Sequence, residues 1–144
     1  MTIIDVNVLL NAVVIGLPGQ PTAQEWLDKM TARREPIALP WLVLVAFVRI
    51  STNPRAMTRP LTLEQAFQQV HKWLDVPGVF ILHPGPDHEH YFAEQCRAAN
   101  ATGNLVTDAH LAALAVEHGC QLASNDADFA RFPALRWINP LASA

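Results

Sequence analysis

Short apolar runs alternate along the chain with longer stretches in which apolar residues return at helical spacing. Ile3-Ile4-Asp5-Val6 is a β-branched run, and Val8-Leu9-Leu10 with Ala12-Val13-Val14 follows at once, so a buried strand leads directly into a helix with Asp5 at the junction. Thr22-x-x-Glu25 after Pro21 has the form of a capping box, and Trp26, Leu27 and Met30 carry that helix to the stop at Arg33-Arg34-Glu35-Pro36. Ile37-Ala38-Leu39 is a brief second strand. Pro40 and Trp41 open a strongly apolar helix, Leu42 to Ile50, which ends at Ser51-Thr52-Asn53-Pro54 because the residue before a proline avoids the helical region. Thr62-x-x-Gln65 caps a helix reaching Trp73-Leu74, Val79 to Leu82 is a third strand, and Asp87 caps a helix from His88 to about Ala99. Gly103-Asn104 is a turn, and Asp108 starts a helix that puts Leu111, Leu114 and Ala115 on one face and closes at Gly119. Gln121 to Ser124 is a fourth strand running into Asn125-Asp126, and Trp137-Ile138 offers a last one. Short strands separated by longer helices imply right-handed β-α-β units, hence an α/β fold with a parallel sheet covered on both faces.

Composition bounds this picture. At 144 residues, 51% hydrophobic and 16% charged, the chain suits one domain over 1–144 with an ordinary core. Ten Lys and Arg against thirteen Asp and Glu give a formal net charge of −3, so a polyanion has to be met by a local patch. The longest apolar runs, such as Trp41 to Val48, fall well short of the ~18–20 residues that span a bilayer, and no basic segment precedes an apolar one at the start. A cytoplasmic chain with no membrane partner is expected. Cys96 and Cys120 lack the Cys-x-x-Cys spacing of a zinc or redox site and read as buried free thiols.

In open parallel sheets, ligands gather beyond the carboxyl ends of the strands. Asp5 leaves the first strand, Asp126 leaves the fourth, and Asp108 stands at a helix start after Gly103-Asn104-Leu105-Val106-Thr107. Carboxylates in such apolar surroundings are desolvated and repel one another if they converge, so a cation belongs among them. Mg²⁺ or Mn²⁺ is the expected ion, because hard divalent ions prefer carboxylate and water oxygens and no soft-ligand set competes. Phosphodiester hydrolysis suits such a site, since it needs an activated water and neutralisation of the charge developing on phosphate. Helix N-termini at Asp108 and after Asn7 would add N–H groups for phosphate oxygens. Each acid also has an ordinary structural reading: Asp126 capping the Ala127-Asp128-Phe129 turn, Asp108 capping its helix, Asp5 bonded to local amides.

The stretch from Pro36 to Leu63 holds Arg49, Arg55 and Arg59 and no acid, a local +3 that is the best nucleic-acid patch in the chain, with a solvated loop as the alternative. Trp26, Trp41, Trp73 and Trp137 lie in apolar segments and are assigned to the core and not to base stacking. His83, His88 and His90 with Asp87 and Glu89 lack Cys partners or a ligand spacing, so they read as a capped, exposed helix start, and His110 as a plain helix position.

Ile3-Ile4-Asp5-Val6-Asn7-Val8-Leu9-Leu10, the block Gly103-Asn104-Leu105-Val106-Thr107-Asp108-Ala109-His110, and Ser124-Asn125-Asp126-Ala127-Asp128-Phe129 resemble the three signature regions of PIN-domain nucleases. Leu39-Pro40-Trp41, the segment from Arg49 to Arg55, and the tail from Arg131-Phe132-Pro133 to Trp137-x-Asn139-Pro140-Leu141 resemble more narrowly the VapC-type toxins of prokaryotic toxin–antitoxin pairs, in a mycobacterial-type branch. The resemblance implies a Mg²⁺- or Mn²⁺-dependent endoribonuclease, a homodimer held inactive by a VapB-type antitoxin whose arginine or lysine enters the acidic pocket. It maps Asp5, Asp108 and Asp126 onto the family's acidic metal-site positions, Asp128 onto an accessory acid, and Asn7, Thr107 and Ser124 onto polar positions that orient carboxylates or water.

One position departs from the family pattern. Many PIN domains carry a glutamate in the helix after the second strand, and the equivalent residue here is Ala46, three before Arg49 and so on the same face. Arg49 can then project toward phosphate, with a helix-end salt bridge as the other reading. The missing acid keeps open a non-enzymatic alternative, a catalytically weakened PIN-like module that holds RNA or a partner. A phosphate-receiving switch domain also gathers acids at strand ends, but it needs a lysine near a late strand, and Lys29 and Lys72 are both in predicted helices.

Overall fold

A computed structural model describes residues 1–142 and turns the alternation of short and long apolar segments into a fully parallel sheet under helices. The chain runs β1 (Thr2–Ile4), α1 (Val6–Val13), α2 (Gln20–Ala32), β2 (Ile37–Leu39), α3 (Trp41–Ser51), α4 (Leu63–Leu74), β3 (Val79–Ile81), α5 (His88–Ala98), α6 (Asn104–His118), β4 (Gln121–Ala123), a 3₁₀ turn (Ala127–Arg131) and β5 (Arg136–Ile138). Strand order is β3-β2-β1-β4-β5, with every neighbouring pair parallel. This is the α/β architecture the sequence predicts. The chain winds outward from β1 through β2 and β3, then crosses to the other side of β1 for β4 and β5, so the order reverses between β1 and β4. Connections leave that point in opposite directions and open a crevice there.

Central strands are buried and edge strands half exposed: β1 and β2 are buried throughout, whereas Phe80 of β3 and Arg136 of β5 meet solvent. The core packs Ile3, Ile4 and Leu122 of the sheet against Leu9, Leu44, Phe47, Leu114, Phe129 and Phe132. Phe47 meets Trp73 edge to face, with ring centroids 4.8 Å apart. In α6 the buried Ala109, Ala112, Ala113 and Ala115 carry no bulk beyond Cβ, which lets this helix lie close to its neighbours.

Three helix starts differ from the sequence pattern. Thr22 does not cap α2: the helix begins at Gln20 with Gly19 as its N-cap, Pro21 sits in the first turn, where its fixed φ is already helical, and the Asn11 side chain accepts the Gly19 N–H at 3.1 Å. Asp108 does not start α6: that helix begins one turn earlier at Asn104, after Gly103 adopts φ 60°. Burial of Leu105 against the core overrides the non-helical reading of the Leu105-Val106 run. Asp87 precedes α5 but its side chain makes no cap bond.

The capping box of α4 is present as read. Thr62 Oγ1 accepts from the Gln65 N–H at 3.1 Å and Gln65 Oε1 accepts from the Thr62 N–H at 2.9 Å. Thr62→Ala is expected to cost about 1 kcal/mol, lowering the urea midpoint at unchanged slope.

The α5–α6 contact corrects two histidine assignments. His88 is not exposed: its side chain is 14% accessible, its Nδ1 pairs with Glu117 Oε1 at 2.9 Å and its Nε2 with His110 Nδ1 at 2.8 Å. Glu117, 8% accessible, is desolvated by burial but held below the ordinary carboxylate range by its bonds to His88 and the Gly85 backbone. His110 is therefore a linking residue between two helices, and burial followed by the neighbouring His88 lowers its pKa. His83 and His90 stay exposed. Both cysteines are free, Cys120 buried and Cys96 half-buried. Among the described residues no helix is long and apolar enough to cross a membrane.

Candidate active site in the β1–β4 crevice

Asp5 leaves β1 as the N-cap of α1. Its Oδ1 accepts the Val6 N–H at 2.7 Å, and its own N–H donates to the Ala123 carbonyl at 2.9 Å, tying the exit of β1 to that of β4. Ser124, fully buried just past β4, closes the link: its Oγ donates to Asp5 Oδ2 at 2.8 Å and accepts from Asn7 Nδ2 and the Asp126 N–H, each at 3.0 Å. Asn7 also donates to Asp5 Oδ2 at 3.1 Å, and its Oδ1 accepts the Asn125 N–H at 3.0 Å. Asp126 Oδ1 caps the 3₁₀ turn through the Asp128 N–H at 2.9 Å. The polar groups of this network are mutually satisfied, which fixes Asp5 in one rotamer and sets the direction in which the chain delivers Asp126.

Asp108 and Thr107 reach the crevice from α6, and α3 closes the other side. A cavity of about 260 Å³ is lined by Asp5, Asn7, Thr107, Asp108 and Asp126 with Leu42, Ala46 and Arg49 among others. Leu42, Ala46 and Arg49 recur at i, i+4 and i+7, so one face of α3 forms this wall. Leu42 is a lining residue the sequence reading passed over, although the same spacing that grouped Ala46 with Arg49 points to it.

The acids crowd one another. Asp108, Asp126 and Asp128 each offer a carboxylate oxygen within 4.8 Å of the other two. Burial, then the charges of Asp126, Asp5 and Asp128, push the Asp108 carboxyl up to about 6. Burial also raises Asp5, against the opposing hydrogen bonds from Ser124, Val6 and Asn7 and with a further upward push from Asp126. Raised carboxyls in one pocket, with Arg49 on its wall but no cation in ion-pair contact with any of them among the described residues, leave their charge uncompensated. The donor set is all hard oxygen, which fits a divalent ion of the Mg²⁺ type.

The sequence-derived residues thus fall unevenly. Asp5, Asn7, Thr107, Asp108 and Asp126 meet in one pocket, with Ser124 buried beneath it. Asp128 belongs to the carboxylate cluster itself and not only to its margin. Arg49 lines the pocket, whereas Arg55 is exposed beyond the end of α3 and outside it. The N-terminus of α6 lies a turn away from Asp108, so it does not present free N–H groups at that residue as expected. The four tryptophans also divide: Trp73 is buried, Trp26 and Trp137 pack against the core, and Trp41 is half exposed, a correction to its core assignment. Helical periodicity could not separate these cases because α3 is apolar on nearly every face.

A doubly wound parallel α/β domain with an acid-lined pocket at its topological switch point is the class of protein these features define. Residues 2–135 match the PIN domain model. Ribonuclease VapC37 of Mycobacterium tuberculosis is 39% identical over 142 residues, covering 99% of each chain, and Ribonuclease VapC25 of the same organism is 40% identical over 140 residues, covering 97% of this chain and 99% of that one. Among solved structures, VapBC2 from Rickettsia felis bound to a DNA fragment from its promoter superposes with a TM-score of 0.71 at 18% identity, over 96% of this chain and 97% of the other, a likeness of fold. The chain belongs to the PIN-domain family and, within it, to the VapC ribonucleases.

Proposed function

We propose that this chain is the toxin of a type II toxin–antitoxin pair, a Mg²⁺- or Mn²⁺-dependent endoribonuclease that hydrolyses RNA phosphodiester bonds with water as nucleophile and no covalent intermediate. The observation that carries the reading is the meeting of Asp5, Asp108 and Asp126 in one pocket, with Asp128 joined to Asp108 and Asp126 in a carboxylate cluster that no cation pairs with among the described residues. Asp5, Asp108 and Asp126, with Asp128 as accessory acid, would hold the ion, which when bound activates water and neutralises charge developing on phosphate. Ser124 and Asn7 keep Asp5 from turning away, so its orientation is set before substrate arrives. Arg49, on the opposite wall, is placed to take a non-bridging phosphate oxygen, where a guanidinium binds by two parallel N–H bonds. Thr107 sits at the pocket edge to orient water, and Arg55 farther out meets a flanking phosphate.

The likeness to VapC ribonucleases of Mycobacterium tuberculosis and to the VapBC2 complex of Rickettsia felis supports this reading. They also favour a VapB-type antitoxin as partner, whose arginine or lysine would fill the acidic pocket in place of the ion. A homodimer in the cytoplasm completes the proposal. Cleavage of RNA by purified chain, freed of antitoxin, with Mg²⁺ or Mn²⁺ and then with excess chelator is the test. Activity should fall to background in chelator and return with metal; undiminished activity in chelator would sink the mechanism. Metal binding without any cleavage would favour the binding-module alternative that Ala46 keeps open.

A further inference from the structure

We propose that Trp137 is a positioning residue for the carboxylate pocket, its indole N–H and the Asn7 side chain clamping from two sides the peptide plane that carries the chain from β4 toward Asp126; this rests on reading the pocket as the metal site of a nuclease. That plane joins Ser124 to Asn125. Its carbonyl accepts the Trp137 indole N–H at 2.9 Å, and its N–H donates to Asn7 Oδ1 at 3.0 Å. Trp137 comes from β5 and Asn7 from α1, which follows β1, and β5 and β1 are the two strands that flank β4.

The way the sheet ends explains why a side chain is needed there. β4 and β5 pair Gln121, Leu122 and Ala123 with Arg136, Trp137 and Ile138, and the Ser124 N–H continues the ladder by donating to the Ile138 carbonyl at 3.0 Å. In a parallel ladder a residue that donates to one partner carbonyl accepts from the N–H two residues farther along the partner strand. Here that residue is Pro140, which has no N–H. Asn139 also begins a turn: its Oδ1 accepts the Leu141 N–H at 3.0 Å and its carbonyl accepts the Ala142 N–H at 3.2 Å. Ser124 is fully buried, and among the described residues no backbone N–H donates to its carbonyl. A buried carbonyl needs a partner, and the Trp137 indole is the donor that the ladder lacks. Indole suits the place because it donates without accepting and sits on a rigid apolar body, which here packs against the core.

The clamp acts on two acids at once. Turning the Ser124–Asn125 plane breaks its bond to Asn7 and swings the chain that delivers Asp126, whose N–H is bonded to Ser124 Oγ and whose Oδ1 holds the Asp128 N–H. Ser124 Oγ and Asn7 Nδ2 are also the side-chain donors that fix Asp5 Oδ2. Slack in this one peptide therefore loosens Asp5 and Asp126 together. Trp137 does not line the pocket and works through Ser124. Partners of this outer kind set how well metal ligands are aimed.

The test uses the full chain and is read first in chelator. The Trp137 indole N–H should exchange with deuterium far more slowly than that of the half-exposed Trp41; equal rates overturn the clamp before any variant is made. Trp137→Phe keeps an aromatic ring and removes the donor. Its melting midpoint should fall by roughly 3–9 °C, and its Asp126 and Asp128 N–H groups should lose protection from exchange. Thr62→Ala, at a helix cap outside the pocket lining, also lowers the midpoint and shows what lost stability does by itself. Calorimetric titration well below both midpoints should find Mg²⁺ and Mn²⁺ bound roughly tenfold more weakly by Trp137→Phe, the lower end of what losing an outer partner costs, and unchanged in Thr62→Ala. Equal metal affinity in Trp137→Phe and wild type makes Trp137 a packing residue and overturns the proposal. If Trp137→Phe weakens the metal but wild type never cleaves RNA, the nuclease reading falls and the positioning role stands. If wild type cleaves RNA with metal and Trp137→Phe binds metal as wild type does, the positioning role falls and the nuclease reading stands.

Discussion

Asp108→Asn is expected to reduce RNA cleavage by about a hundred- to thousandfold, the range seen when one electrostatic group is lost from a preorganised site, and at the same time to make the metal-free protein more stable. Asp108 makes no side-chain hydrogen bond to the rest of the protein among the described residues, so the amide breaks nothing in the fold. What it removes is a charge that burial and three neighbouring acids disfavour. The carboxyl titrates near 6 in the folded chain against an ordinary value of 3.8. Its penalty is therefore absent below about pH 4, grows as pH rises, and is complete above 6. Because the group is partly open to solvent, the full-shift figure has to be cut by screening, leaving about 1 kcal/mol. That is roughly 3 °C in midpoint for a chain of this size. Melting curves in chelator should coincide at low pH and separate in favour of the variant above pH 6. Saturating Mg²⁺ should reverse the order, since only wild type gains the full binding free energy. A variant that melts lower than wild type in chelator at pH 7 would show Asp108 to be a structural residue.

Ala46→Glu is expected to move metal affinity and metal-free stability in opposite directions. Ala46 lies on the pocket wall between Leu42 and Arg49, so a glutamate there adds a carboxylate to a pocket that already gathers acids. Ligand charge tunes divalent affinity, and binding of Mg²⁺ or Mn²⁺ should tighten about tenfold, equivalent to about 1.4 kcal/mol. Without metal the same charge adds repulsion and the protein should melt lower. Calorimetric titration paired with melting in chelator reads both effects. Arg49, three residues on, competes for the new carboxylate; if it captures that group, affinity stays within about threefold of wild type and the metal-free midpoint does not fall. That result would make Arg49 a partner for acids and not for phosphate.

The strands, the parallel sheet and most of the helices were legible because each is a local apolar pattern, and the five strands fall where short β-branched or apolar runs lie. Asp5 and Asp126 were legible as strand exits for the same reason. What escaped local reading depended on tertiary placement. Trp41 looks like a core residue because α3 is apolar nearly all round, and only the position of α4 decides which face stays open. Asp108 reads as a helix cap because aspartate is favoured at helix starts and Gly103-Asn104 reads as a turn, yet the helix begins at Asn104 directly after Gly103, with Leu105 buried. His88 looked exposed beside charged neighbours, and its burial comes from Glu117 and His110 on a helix it meets only in the fold. Asp128 joins the carboxylate cluster through the tight turn that Asp126 caps, a geometry set by one hydrogen bond.

The bond between Ser124 and Asp5 spans 119 positions of sequence, and it joins the first strand to the fourth. During synthesis Asp5 leaves the ribosome early, but β4, the strand that completes its surroundings on that side, has yet to be made. At about 5–20 residues per second, the interval between Asp5 and Ser124 is roughly 6–24 s. Until residue 108 is made the nascent chain holds one acid of the four, and from there to Ser124 it holds two, with no pocket in either case. An assembled carboxylate cluster therefore exists only after β4 and the turn that follows it have been translated. Chains stalled or cut before β4 carry no such cluster. The wide separation of its acids makes assembly of the site wait for β4 and the turn beyond it.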